Sequence, residues 1–180
     1  MKKLLVKLIF YSLLLGFYTG YSQNTEAINA RVLDIKKWYG EIQSIGLKNC
    51  KEKTRVALDS FDGETDKMEF VQKIKKCDLN SDYEVLQGEF SGYEWANDIN
   101  IYKKNGNVFF VFIYWGGEGV NNENRFYFDE NQKLIKEIEK SIDYDCKSVK
   151  TEKKENLNKS LLNVFSGESN FNSVYKFEFN

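Results

Sequence analysis

Residues 105–115 read Asn-Gly-Asn-Val-Phe-Phe-Val-Phe-Ile-Tyr-Trp and decide the fold class. The eight apolar residues of 108–115 do not alternate with polar ones, which is typical of a strand covered on both faces. The Asn105-Gly106 pair before them favours a tight hairpin, because both residues tolerate positive φ. We therefore predict a central strand at 108–115 and an antiparallel partner at 99–104.

Further strand-like segments lie on both sides of this hairpin. Each is short, rich in β-branched and aromatic residues, and bounded by turn residues. The segment 116–122 is glycine- and asparagine-rich and predicts a flexible loop. The additional predicted strands cover residues 55–61, 68–77, 83–90, 125–128 and 133–138.

A helix is predicted before the strands, since Ile28, Val32, Ile35 and Ile42 follow one another at helical spacing and Gly46 provides a stop. Near the C-terminus, Thr151 is a candidate cap for a second helix, and residues 171–179 are a last strand or a loose end. The predicted fold is α+β: an N-terminal helix packed on an antiparallel β-meander of five to seven strands, with a short C-terminal helix.

The chain begins with the features of a secretory signal peptide. Three lysines at positions 2, 3 and 7 precede an apolar run at 8–17, and small residues follow. The run is shorter than the roughly 20 residues of a membrane-spanning helix, although an uncleaved anchor is the alternative. We expect residues 1–22 to be removed, leaving a single domain at 23–180, with 147–159 as a charged connecting segment. No transmembrane segment is expected in the mature chain, which would be exported.

Several patterns carry a resemblance to a group of sequences. They are the Tyr21-Ser22-Gln23 exit of the signal, the Trp38-Tyr39-x-x-Ile42 helix and the two hairpins around 102–109 and 127–135. The chain resembles small exported proteins of Bacteroidota over residues 30–140. This resemblance implies export from a Gram-negative cell, to the periplasm, the outer surface or the medium, and it implies no activity.

Composition excludes several classes of function. The chain has no histidine, which removes Ser-His-Asp and Cys-His catalysis and histidine metal sites. Of its 26 basic residues, three lie in 1–22, so the mature chain would carry 23 basic residues against 27 acidic ones. This acidic balance argues against a nucleic-acid partner.

The three cysteines are Cys50, Cys77 and Cys146. In an oxidising compartment an odd number permits one disulfide and one remaining thiol. A hairpin turn centred between Gly63 and Glu64 would place Cys50 opposite Cys77, so we predict a disulfide between them. The redox state of Cys146 stays open.

An acidic segment at 78–89 is similar to the twelve-residue EF-hand calcium loop. Glycine at position six of that loop is replaced by Tyr83, and the interpretation we prefer is a β-hairpin turn over 78–82. Calcium is therefore the one cofactor considered. The resemblance implies as metal ligands Asp78, Asn80, Asp82, Glu84 and Glu89.

An aromatic platform for a sugar ring or a peptide is the other candidate site. Its members would be Tyr93, Trp95, Tyr114 and Trp115. Cross-strand packing within the sheet is the alternative explanation for these four residues.

Three functional hypotheses follow from these patterns. The first is an exported, non-enzymatic protein that binds a protein or an envelope component, for example as an inhibitor or immunity protein. The second is a carboxylate-dependent hydrolase of envelope glycans, which needs two facing acids in a cleft. The third is a calcium-binding module at 78–89. No catalytic residue is identified, and the first hypothesis is preferred.

Overall fold

Eight antiparallel strands form one sheet in the computed structural model, which describes residues 25–60, 67–92, 94–117, 119–143 and 149–179. Each strand pairs with the next one along the chain. The predicted signal peptide and the turn at 63–64 lie outside the described residues. In chain order the elements are α1 (25–45), β1 (Cys50–Ser60), β2 (Lys67–Asp78), β3 (Tyr83–Ser91), β4 (Trp95–Lys104), β5 (Asn107–Gly117), β6 (Val120–Phe128), β7 (Lys133–Asp143), β8 (Val149–Ser160), α2 (Leu161–Val164) and α3 (Ser169–Tyr175).

The central part of the sheet is buried on both faces. On one face, which α1 covers, four buried residues are in register across β3 to β6: Val85, Tyr102, Phe110 and Tyr127. The next row points to the other face, which α2 and α3 cover, and consists of Leu86, Ile101, Val111 and Phe126. We call these the α1 face and the α2/α3 face. The two-faced apolar strand is therefore confirmed as β5.

The first helix and the central hairpin lie where local sequence patterns predicted them. Gly46 ends α1 with a φ of 73°, and its N–H donates to the carbonyl of Ile42 at 3.0 Å. Asn105 and Gly106 have φ values of 50° and 79°, as a tight antiparallel turn requires.

Helix α1 crosses the strands near one end of the sheet. The Trp38 ring packs edge-on against Phe109, with ring centroids 5.4 Å apart. Arg31 donates to the carbonyl of Phe128, the last residue of β6. Tyr83, the first residue of β3, donates its hydroxyl to the Glu41 carboxylate. Among the described residues, no helix is both long and apolar enough to span a bilayer.

The disulfide prediction is confirmed. Cys50 and Cys77 form the first pair of the β1–β2 ladder, with their Cα atoms 4.1 Å apart. A symmetric hairpin fixes this pairing from the turn position alone, because each step away from the turn adds one residue on each strand. Cys77 is fully buried on the α1 face.

The C-terminal segment differs from the prediction. The charged residues from Val149 onward form β8 rather than a connecting segment or a helix capped by Thr151, and 171–175 lie in α3 rather than in a strand. Register with β7 places Lys154 opposite Glu137 and Glu155 opposite Lys136, whose Nζ lies 2.5 Å from Glu155 Oε1. The backbone hydrogen bonds gained by pairing with β7 outweigh the low intrinsic β-propensity of these charged residues. A charged edge strand also resists pairing with other chains.

The predicted loop at 116–122 is also corrected. Strand β5 continues to Gly117 and β6 begins at Val120, and these two residues are paired. The turn is therefore short, and the sheet has eight described strands instead of the predicted five to seven.

Candidate functional site

A polar groove of about 580 Å³ lies on the α2/α3 face, between the sheet and the segment containing α2. We call it the asparagine groove. Five strands, β4 to β8, supply its floor and one wall, and residues 163–168 supply the other wall. Its polar and aromatic lining includes Asn97, Trp115, Asn122, Asn124, Glu137, Glu139, Lys154, Lys159, Asn163 and Glu168.

The floor of the groove is built by cross-strand register. Asn97 of β4 is paired with Trp115 of β5, and Trp115 is paired with Asn122 of β6. Neighbouring strands lie about 4.8 Å apart, so this row extends over about 10 Å. Asn124, two residues along β6, points to the same face, because side chains alternate along a strand. One indole ring therefore lies between amide side chains.

Two of these amides have buried oxygens whose hydrogen-bonding capacity is unused. In the part of the chain that the structure describes, neither Asn97 Oδ1 nor Asn124 Oδ1 accepts a hydrogen bond. Asn122 differs, since its Oδ1 accepts a hydrogen bond from Ser141 Oγ at 2.6 Å. A buried polar atom without a partner costs about 1–3 kcal/mol, so these two oxygens gain the most from a further hydrogen-bond donor in the groove.

The charges that line the groove nearly cancel. Glu137 and Glu139 lie on β7 and Lys154 and Lys159 on β8, while Glu168 lies between α2 and α3. Glu137 is directly opposite Lys154 in the ladder. The groove therefore combines hydrogen-bonding groups and an aromatic ring without a strong field of either sign.

The described residues of the predicted aromatic platform do not form one surface. Trp115 lines the groove, whereas Tyr114 lies on the α1 face and donates to Asn121 Oδ1 at 2.9 Å. Consecutive strand residues point to opposite faces, so these two rings cannot share one platform. Trp95 packs against Phe70 with ring centroids 5.4 Å apart. Tyr93 and Cys146 lie outside the described residues.

The segment proposed as a calcium loop is the β2–β3 hairpin turn. Asp78 ends β2, and Asn80 Oδ1 accepts hydrogen bonds from the backbone N–H groups of Asp82 and Tyr83 at 2.8 and 2.9 Å. The amide oxygen that would have coordinated calcium instead closes the turn. The hairpin interpretation is confirmed.

The carboxylates expected to complete the calcium loop lie along β3. Glu84 pairs with Lys76 at 2.6 Å and with Lys103 at 2.7 Å. Glu89 lies five residues further, about 17 Å along the strand, and pairs with Lys73. Extended backbone keeps these acids apart, which corrects the calcium-loop prediction. No group of three or more candidate ligands that could hold a metal occurs in the described ranges.

Two carboxyl groups on β3 and β4 have shifted pKa values. Burial alone would raise the pKa of Glu84, but the hydrogen bonds from Lys103 and Lys76 outweigh it and hold the pKa below its usual value. Burial, and then the neighbouring charge of Glu89, raise the pKa of Asp98. Neither carboxyl lines the asparagine groove. Both pKa shifts therefore arise from contacts within the sheet and not from the groove.

The asparagines of the groove are not among the residues that the sequence predicted to bind a ligand. Asn122 falls in the segment predicted as a loop, and Asn124 directly precedes the strand predicted at 125–128. A detectable signal was present, because Asn122, Asn124 and Phe126 occupy alternate positions. A turn centred at 118–119 would have placed Asn122 opposite Trp115.

Comparisons with family models, with curated proteins and with solved structures gave no match to this chain.

Proposed function

We propose that the protein is an exported, non-enzymatic binding protein that holds a neutral saccharide of the cell envelope in the asparagine groove. The observation that carries this proposal is the row Asn97–Trp115–Asn122, in which an indole ring is flanked by amides. Export rests on the signal-like segment at 1–22, and it agrees with the Cys50–Cys77 disulfide.

The chemistry of the lining favours a saccharide. A pyranose ring has an apolar face that stacks on an aromatic ring, and a rim of hydroxyls that both donate and accept hydrogen bonds. Each asparagine amide offers two donors and one acceptor oxygen, which suits such a rim. The oxygens of Asn97 and Asn124 are the acceptors available for this purpose after the small rotations that accompany binding.

The near-cancellation of charge points to a neutral ligand. An anionic ligand would meet three glutamates, and a cationic one would meet two lysines. A neutral polyol avoids both penalties and gains hydrogen bonds to the charged groups. The volume of about 580 Å³ accommodates one or two sugar rings, within the usual range of small-ligand sites.

Calorimetric titration of the oxidised protein with a panel of neutral oligosaccharides tests this function. We expect saturable binding of at least one member, weakened about tenfold by Trp115→Ala. Stacking that buries about 60 Å² of apolar surface is worth about 1.5 kcal/mol, which corresponds to that factor.

Three asparagines on one strand supply a matched control. Asn122→Ala and Asn124→Ala should weaken binding, whereas Asn121→Ala should not, because Asn121 bonds Tyr114 on the opposite face. If no saccharide on the panel binds, or if all three variants behave alike, the proposal is wrong.

Glycan hydrolysis is a second candidate, favoured by the two glutamates in the groove. Glu137 and Glu139 lie on the same face of β7, about 6.8 Å apart along the strand. That backbone spacing is compatible with the carboxyl separation of inverting glycosidases, about 6.5–9.5 Å. Release of reducing ends from a bound oligosaccharide, abolished by Glu137→Gln or Glu139→Gln without loss of binding, would establish an enzyme instead of a binding protein.

A further inference from the structure

A second cavity, of about 360 Å³, lies on the α1 face along one flank of α1. The helix contributes Ile35, Lys36 and Tyr39, and the sheet contributes the remaining lining side chains. We call it the flank cavity. Its sheet residues are Phe110, Phe112, Arg125 and Tyr127. It shares no lining residue with the asparagine groove.

The walls of the flank cavity are mostly aromatic. Phe110 and Tyr127 have ring centroids 5.1 Å apart, and Tyr39 packs edge-on against Phe110 at 5.7 Å. Tyr39 is 38% exposed, so its ring forms part of an accessible edge. Such rings favour a planar aromatic ligand through stacking and edge-to-face contacts.

Two cationic side chains lie beside this aromatic wall. Lys36 is exposed on α1, and the Arg125 guanidinium lies 5.9 Å from the centroid of the Phe112 ring. Arg125 contacts Glu123 through Nη2 at 2.8 Å, and an arginine carries four further N–H donors. Among the described residues that line the cavity, none is acidic.

From this arrangement we propose that the flank cavity binds a small aromatic acid of one or two rings. The rings lie against Tyr39, Phe110 and Phe112. The acid group lies beside Lys36 and Arg125, since charge-assisted hydrogen bonds from a guanidinium suit a planar anion. The volume is at the lower end of the range for small-ligand sites, which sets the limit of two rings.

Two fluorescent probes with the same rings separate aromatic from anionic recognition. Naphthalene-2-sulfonate carries an acid group, and 2-naphthol has the same two rings without it. Titrated into the folded, oxidised full-length protein, the sulfonate should bind saturably and about tenfold more tightly than the neutral probe. If the neutral probe binds equally well, the cations do not recognise an acid group and the proposal is overturned.

Adjacent lysines on α1 give a matched pair of variants. Lys36→Gln should weaken sulfonate binding about threefold, because an exposed charge contributes modestly, and Lys37→Gln should have no effect. Both positions are exposed, so neither variant threatens folding. Equal behaviour of the two variants would overturn the assignment.

Variants of the floor and of the other face complete the test. Arg125→Gln should weaken the sulfonate about tenfold and leave the neutral probe unchanged, which shows that the cavity is intact. Trp115→Ala, in the asparagine groove, should affect neither probe. Loss of sulfonate binding in Trp115→Ala alone would place the probe on the other face and refute the proposal.

Discussion

Helix α3 packs closely on β3 at Gly88, and Gly88→Ala should push the two elements apart. A methyl group added there would lie 2.2 Å from Val174 Cγ2 and 2.8 Å from Phe90 Cε2. Ordinary carbon–carbon contacts are about 3.5–4.0 Å, so the overlap with Val174 exceeds 1 Å. Val174 and Phe90 are both buried, and neither can turn toward solvent. Overpacking of this kind costs about 1–3 kcal/mol.

Combination with Val174→Ala tests the steric explanation. Val174→Ala alone removes two buried methyl groups and should cost about 2 kcal/mol. In the double variant the new methyl occupies the vacated space, so the total should be about 1–2 kcal/mol less than the sum of the single effects. Urea unfolding of the four proteins measures this coupling. Additive effects, or a Gly88→Ala protein as stable as the parent, would refute the close packing of α3 on β3.

The other predictions concern the disulfide, two carboxyl groups and calcium. Replacing Cys50 and Cys77 with alanine opens a loop of 27 residues and should lower the free energy of unfolding by about 3.5 kcal/mol in urea; a loss below about 1 kcal/mol would contradict it. The lowered pKa of Glu84 means that its contribution is present at neutral pH and is lost as the pH falls through that pKa. Glu84→Gln should therefore destabilise at pH 7 and be neutral near pH 2, and an effect independent of pH would count against this account. The raised pKa of Asp98 means that its ionised carboxylate destabilises the folded state at neutral pH. Asp98→Asn should therefore increase stability at pH 7 and lose this advantage near pH 2, where Asp98 is protonated. Thermal unfolding at the two pH values measures this difference. Calcium should leave the melting temperature unchanged, because the hairpin keeps Glu84 and Glu89 about 17 Å apart; a clear rise would reopen the metal site.

Predictions from the sequence were accurate where the decisive interaction is local. The helical spacing from Ile28 to Ile42 and the positive φ of Gly46 concern residues within a few positions of one another. The disulfide required only one hairpin turn to be placed correctly. The segment around 149–160 failed because its pairing partner, β7, determines its conformation. An isolated charged segment carries almost no strand signal.

The candidate site was less predictable than the fold. Trp115 was selected as a ligand-binding residue, but its amide neighbours were not, and Tyr114 was assigned to the same surface. A strand pattern shows which residues share a face within one segment. It does not show which of the two faces a helix leaves open, so the groove beside Trp115 could not be located.

The sequence by itself determined the α+β class, the first helix, the central two-faced strand and the pairing of Cys50 with Cys77. These follow from periodicity, turn residues and symmetry about one hairpin, all of which act over short stretches of chain. The tertiary structure alone decided that Asn97, Trp115, Asn122, Glu137 and Lys154 meet in one groove. Their alignment accumulates through four successive strand pairings, and a one-residue slip in any of them would move side chains to the opposite face.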